Sequence, residues 1–122
     1  MISIMNYKFG DLVLVDFPFS SSIGHKKRPA VVISSNDFNN SQHDVIMMAI
    51  TSKVSKLSAG EAIISEWQDS GLLKESALKS VIFTIEKEFI YKQLGKLSEN
   101  DLVTLKSCLS EIFKDLKSFN GN

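Results

Sequence analysis

The chain has 122 residues and is 43% hydrophobic, which suits one domain with one core and excludes a disordered polymer. Fourteen Lys and Arg balance fourteen Asp and Glu, so the net charge is zero and a global positive field along a nucleic-acid backbone is excluded, though not a local basic patch. Cys108 is the sole cysteine; it permits no intrachain disulfide, which fits a reducing compartment, and it lies too far from His25 and His43 to form a zinc motif.

The opening "MISIMN" has neither a basic leader nor a long apolar run, so we expect no signal peptide. No apolar stretch approaches the roughly 20 residues that span a bilayer. A cytoplasmic protein is expected. "DLVLVDF", Asp11 to Phe17, is continuously apolar between acidic ends, the pattern of a strand buried on both faces. "PFSSSIGHKKR", Pro18 to Arg28, has the composition of a long loop. "PAVVIS" predicts a second strand with Pro29 at its first position, where a missing N–H costs least. Pro29 also forces Arg28 into an extended conformation, pinning it at the strand entrance.

"SNDFNNSQHD", Ser35 to Asp44, predicts a turn. "VIMMAITS", Val45 to Ser52, predicts a third strand, and a polar stretch from Lys53 ends in a turn at Ala59-Gly60. "EAIIS" is a short fourth strand, and Trp67 and Gly71 flank another turn. "ALKSVIFTI", Ala77 to Ile85, reads as one or two strands, and "EFIYKQLG", Glu88 to Gly95, as a further one.

The period then changes. Leu102, Leu105, Leu109, Ile112 and Leu116 recur at spacings of three and four, predicting a helix over 98–116. Ser98 and Asp101 resemble a capping box. The tail 117–122 has no periodicity and is expected to fray. Five to seven short strands and a terminal helix describe a mostly β, single-domain chain over 1–122: a small antiparallel barrel, its helix packed on the barrel or on a partner chain.

Arg28 is either a surface cation or, with its backbone held by Pro29 and Lys26 and Lys27 beside it, a planar fork of donors for a phosphate. Thr51 and Ser52 end an apolar strand, where a hydroxyl either terminates the strand or points into a rim pocket beside Arg28. His25 is either idle in solvent or a proton-transfer group. Asp11 and Asp16 mark strand ends or do acid–base work. Phe17 or Phe19 could stack an unpaired base, with core packing the plainer role for Phe17. Trp67 reads as a core or interface residue and Cys108 as a small buried hydrophobe. There is no Gly-rich phosphate loop, G-x-S-x-G or H-E-x-x-H motif.

The ordered set "GDLVLVDF…KKRPAVVIS…VIMMAITS", continuing through "GLLKESALKSVIFTIEKEFIYKQLGKLS", resembles the MazF/PemK family of toxins over about residues 7–116. That resemblance implies an SH3-like barrel, usually a homodimer, without a cofactor. It implies a metal-independent endoribonuclease that cuts single-stranded RNA and is silenced by a cognate antitoxin, reaching DNA only through the antitoxin complex. The family's functional Arg before Pro matches Arg28, and its Thr or Ser at the end of the third strand matches Thr51. The loop "FPFSSSIGHKK" departs from better-known members. So does "ALKSVI", where some members carry an acidic residue and this chain has Lys79, Ser80 and Val81. Under this reading Arg28, Thr51 and His25 are the candidate catalytic residues, and Lys26, Lys27, Ser52, Phe19 and Lys79 the candidate RNA contacts. The alternative is a non-catalytic binding module of the same shape, acting as an antitoxin-binding or DNA-regulatory subunit.

Overall fold

Apolar runs without alternation form strands that need cover on both faces. In the computed structural model, which describes residues 6–17 and 26–116, they do so within one sheet. In chain order the elements are β1 (Asp11–Phe17), β2 (Lys26–Val32), α1 (Asn36–Ser41), β3 (Asp44–Thr51), β4 (Ala62–Ile63), β5 (Ala77–Glu86), a single 3₁₀ turn (Lys87–Phe89), β6 (Ile90–Lys96) and α2 (Glu99–Ile112). The strands lie in the order β4-β5-β3-β2-β1-β6, and every neighbouring pair is antiparallel.

One face carries Leu12, Val31, Met48, Ile50 and Leu78; Leu105 and Cys108 of α2 cover it together with Ile64 and Leu72. The other carries Val13, Val15, Ala30, Val32, Val45, Met47 and Ile85, with Tyr7 and Ile90 closing over them. The alternation places neighbouring residues of one strand in different cores, so the middle positions of β1 and β3 are apolar and their polar residues, Asp11, Asp16, Asp44 and Thr51, stand at or next to the strand ends. Leu105 is fully buried, and its truncation to Ala should cost about 2–5 kcal/mol.

The expected barrel is a six-stranded sheet that does not close by a strand ladder: among the described residues, edge strands β4 and β6 are not paired with each other. The segment after β4 makes the approach instead. Gly71 has φ +94°, and a Cβ there would strike the carbonyl of Leu94 in β6. Gly95 lies as tightly against the carbonyl of Ser70. Two glycines thus let loop backbone meet strand backbone where side chains would hold them apart.

Several local expectations change. Lys26, Lys27 and Arg28 belong to β2 and not to a loop, because β1 pairs with them: Phe17 with Lys26, Asp16 with Lys27, Val15 with Arg28. Pro29 is therefore fourth in its strand. The pairing of β2 with β3 begins at Ala30, so Pro29 falls where β2 has a single partner and its missing N–H is tolerated. The Asn-rich segment is the short helix α1, not a turn. Ser35 caps it by accepting from Phe38 N–H at 3.1 Å. Buried Asn39 anchors it, donating to the Tyr7 carbonyl at 2.8 Å and the Ser34 carbonyl at 3.1 Å while accepting from the Ser34 hydroxyl.

Helix α2 begins as read, with Ser98 accepting from Asp101 N–H at 3.2 Å, but it ends at Ile112, before Leu116, which is exposed. Asp101 does not complete the capping box. Its carboxylate accepts from Ser65 N–H, Ser65 Oγ and Glu66 N–H at 2.9, 2.8 and 2.9 Å. The tail 117–122 lies outside the described residues. Among the described residues, no helix is long and apolar enough to cross a membrane.

Candidate functional site

Arg28 is the sole arginine of the chain. Antiparallel pairing sets Ala30 of β2 opposite Ala49 of β3. Two residues further along each strand stand Arg28 and Thr51, on the same sheet face as that pair, because side chains alternate with period two. Both residues line each of two adjoining cavities. Arg28 is exposed, and among the described residues it has no carboxylate partner. Thr51 is half-buried, and its Oγ accepts from Lys53 N–H at 3.1 Å. A hydroxyl accepts and donates at once, so Thr51 keeps a proton to give.

The first cavity, about 700 Å³, has an apolar floor of Leu14, Pro29, Ile50 and Leu72. Lys27, Arg28, Lys53, Lys74 and Lys92 surround it with Thr51, Ser52, Ser76 and Gln93, and no carboxylate lines it. One wall is the 71–74 loop and the other is Lys92–Leu94 of β6, the two backbones brought together by Gly71 and Gly95. Asp101 holds the start of that loop from α2 through Ser65 and Glu66, and the Glu66 carbonyl in turn accepts from Ser70 N–H at 3.2 Å. On the outer side, Lys27 Nζ sits 4.8 Å above the centre of the exposed Tyr91 ring.

The second cavity, about 810 Å³, shares Arg28, Pro29, Ile50, Thr51 and Lys53 with the first. It adds Lys56 and Lys79, an apolar wall of Ala49, Leu57, Val81 and Phe83, and one carboxylate, Glu61. Glu61 Oε1 accepts from Ser58 N–H at 2.8 Å, and Oε2 accepts from Ser80 N–H and Ser80 Oγ, both at 3.0 Å. Those hydrogen bonds, with Lys79 nearby, hold its pKa down at about 2. It stays ionised at neutral pH and cannot be a general acid there.

Together the cavities gather Lys27, Arg28, Lys53, Lys56, Lys74, Lys79 and Lys92, seven of the chain's fourteen cations, against one of its fourteen carboxylates. A neutral chain therefore presents a local positive field. Of the residues singled out in the sequence, Arg28, Thr51, Ser52, Lys27 and Lys79 meet here. Lys26 is exposed at the start of β2 and lines neither cavity. His25 and Phe19 lie outside the described residues. Lys53, Lys56, Lys74, Lys92 and Glu61 escaped the reading of the sequence. Lys53 follows "ITS" directly and could have been found by that adjacency; the others sit in ordinary polar loops or on an edge strand.

Cys108 takes no part. It is buried on the inner face of α2, and burial, then the Glu61 charge, pushes its thiol up, away from the reactive thiolate. Among the described residues, no three His, Cys, Asp or Glu side chains are placed to hold a metal ion.

A family model described as PemK-like, MazF-like toxin of type II toxin–antitoxin system matches residues 8–113. No curated protein matches the sequence. Solved structures do match in fold. MazF (Form-I) from Deinococcus radiodurans superposes with a TM-score of 0.71 at 17% identity, covering 91% of this chain and 99% of that one. The MazE–MazF complex (Form-II) from the same organism gives 0.73 at 17% identity, covering 91% and 98%. Mycobacterium tuberculosis toxin MazF-mt6 gives 0.70 at 19% identity, covering 85% and 96%. A mycobacterial endoribonuclease in complex with its cognate antitoxin gives 0.68 at 16% identity, covering 88% and 92%.

Proposed function

This chain belongs to the PemK-like, MazF-like toxins of type II toxin–antitoxin systems, and from that premise we propose that it is a metal-independent endoribonuclease cutting single-stranded RNA. The observation that carries the reading is the shared wall: the chain's sole arginine and a strand-end hydroxyl stand at the junction of two cation-lined cavities. A polynucleotide lying across both would place one phosphodiester at that junction.

Transesterification suits those groups. The ribose 2′-oxygen attacks phosphorus and loses its proton to a base. The bond to the 5′-oxygen breaks, and that oxygen takes a proton. The products are a 2′,3′-cyclic phosphate and a 5′-hydroxyl, and DNA, lacking the nucleophile, is not cut. Charge builds on the phosphorane-like oxygens. Arg28 meets it with a fork of N–H donors, and Thr51 donates its hydroxyl proton to one oxygen. Lys53, common to both cavities, adds charge beside them. We assign proton transfer to His25, one residue before β2 in the sequence, because an imidazole can both take and return a proton.

A cytoplasmic toxin of this kind, acting as a homodimer, would be silenced by a cognate antitoxin occupying the cavities. The complexes formed by relatives in Deinococcus radiodurans and mycobacteria support such a partner. DNA contact would come through that complex alone.

The test is incubation of the purified protein with a long single-stranded RNA in EDTA, followed by end mapping. Discrete cuts ending in 2′,3′-cyclic phosphate, lost when the nucleotide 5′ of the cut is 2′-deoxy, are expected. Intact RNA would refute the reading and leave the binding module.

A further inference from the structure

The two cavities differ in a way that the cleavage chemistry does not require. One is cationic without a carboxylate; the other has an apolar wall and a single fixed anion, Glu61. A carboxylate repels phosphate, so it is misplaced in a groove meant for backbone alone. It is well placed to accept a hydrogen bond from a base edge. Leu57, Val81 and Phe83 supply apolar surface against which a base plane can lie, and Val81 is 46% exposed.

The acceptor capacity of Glu61 narrows the choice. A carboxylate offers about four lone-pair sites. Ser80 N–H and Ser80 Oγ occupy both on Oε2, and Ser58 N–H occupies one on Oε1. About one remains, so Glu61 accepts one further donor and presents none. The same three bonds fix the side chain in place, and its low pKa keeps it an acceptor at neutral pH.

Resting on the ribonuclease reading, we propose that the cavity walled by Val81 and Phe83 is a base pocket next to the scissile phosphate. There Glu61 accepts from the exocyclic amino group of the bound nucleobase. Adenine, cytosine and guanine carry such a group. Uracil carries no exocyclic amino group: in the pose where cytosine donates its amino group, uracil turns a carbonyl oxygen toward the carboxylate and is disfavoured, because two acceptors face each other with no proton between them. The phosphates on the other side of the cut run through the carboxylate-free cavity.

The experiment cleaves a randomised single-stranded RNA with the wild-type chain and reads the base on each side of every cut. Uracil is expected to be depleted at least about tenfold at one flanking position. At that position, replacing adenosine by purine riboside, or cytidine by pyrimidin-2-one riboside, should lower kcat/KM by a similar factor, since only the amino group is lost. Glu61→Gln, which offers an NH2 donor, should admit uracil. Cuts with equal use of all four bases on both sides, or amino-free analogues cleaved as well as the parent bases, would overturn the base pocket and leave the nuclease standing. If Glu61→Gln fails to fold, the analogue series decides. No cutting of any RNA would overturn both.

Discussion

Asp101, in the first turn of α2, accepts hydrogen bonds from both the N–H and the hydroxyl of Ser65, thirty-six residues earlier in the chain. A third comes from Glu66 N–H, and the carboxylate is 1% exposed. The C-terminal helix is thereby tied to the segment whose continuation, Leu72 to Lys74, walls the carboxylate-free cavity.

Asp101→Ala should cost about 2 kcal/mol, since two part-buried N–H groups and one hydroxyl lose a charged acceptor. Urea unfolding measures it. Asp101→Asn keeps the shape and an acceptor oxygen, so it should recover part of that loss. KM for RNA should rise in the Asn variant more than kcat falls, because the residue touches a wall and not the reacting atoms.

Arg28→Ala should lower RNA cleavage by at least about 10²-fold with an unchanged melting temperature, because the side chain is exposed and makes no ion pair among the described residues. Arg28→Lys keeps the charge and loses the fork, and should recover little. Thr51→Val, which removes one hydroxyl, should cost about tenfold in kcat. Single-turnover kinetics separate these losses from weaker binding.

Gly71→Ala should destabilise the fold by about 2–4 kcal/mol, from its positive φ and from the collision with the Leu94 carbonyl. Cleavage should fall with stability, because the same collision opens the wall between the loop and β6. A variant with wild-type melting temperature would show that the two backbones do not meet there.

Lys92→Ala should reduce the slope of log affinity against log salt by about 0.7 for single-stranded RNA, the share of one released counterion. Filter binding to a 2′-deoxy-blocked RNA between low and physiological salt reads it. Lys26→Ala should leave that slope unchanged, since Lys26 lines neither cavity.

Glu61 makes a testable pH dependence. Its folded pKa lies below the ordinary 4.5, at about 2. Its hydrogen bonds therefore contribute fully above the unfolded value and are lost as pH falls through that window. Melting temperature should drop more steeply between those pH values in the wild type than in Glu61→Gln. Asp11, raised by burial, has the opposite sign: its contribution is greatest at low pH and falls as pH rises. It is common to both proteins and cancels in the difference.

Local chemistry alone was enough to indicate most strand cores, the helix face of α2 and its Ser98 cap; it left Arg28 and Thr51 open between a structural and a functional role, and the family resemblance made them a candidate pair. Apolar runs, a 3.6-residue period and an N-cap hydroxyl act within a few residues, so they are visible in one dimension. The basic cluster misled, because Lys26 to Arg28 have loop composition and become strand through pairing with β1, a contact that spans the intervening segment. Asp101 misled likewise. Its spacing from Ser98 suggests a capping box, yet backbone donors on a distant segment compete for its oxygens and win.

The two cavities belong to the tertiary structure. Lys53, Lys74 and Lys92 are unremarkable in sequence and line one cavity because the end of β3, the edge strand β6 and one loop are brought around it by the sheet order and by two glycine contacts. What the residue order determined by itself was which segments must be buried and in what conformation, since hydrophobic periodicity and backbone preference are properties of neighbours along the chain. Which charges face one another across a cavity was decided only on folding, because Coulomb interactions and hydrogen bonds depend on distance in space and not on separation in sequence.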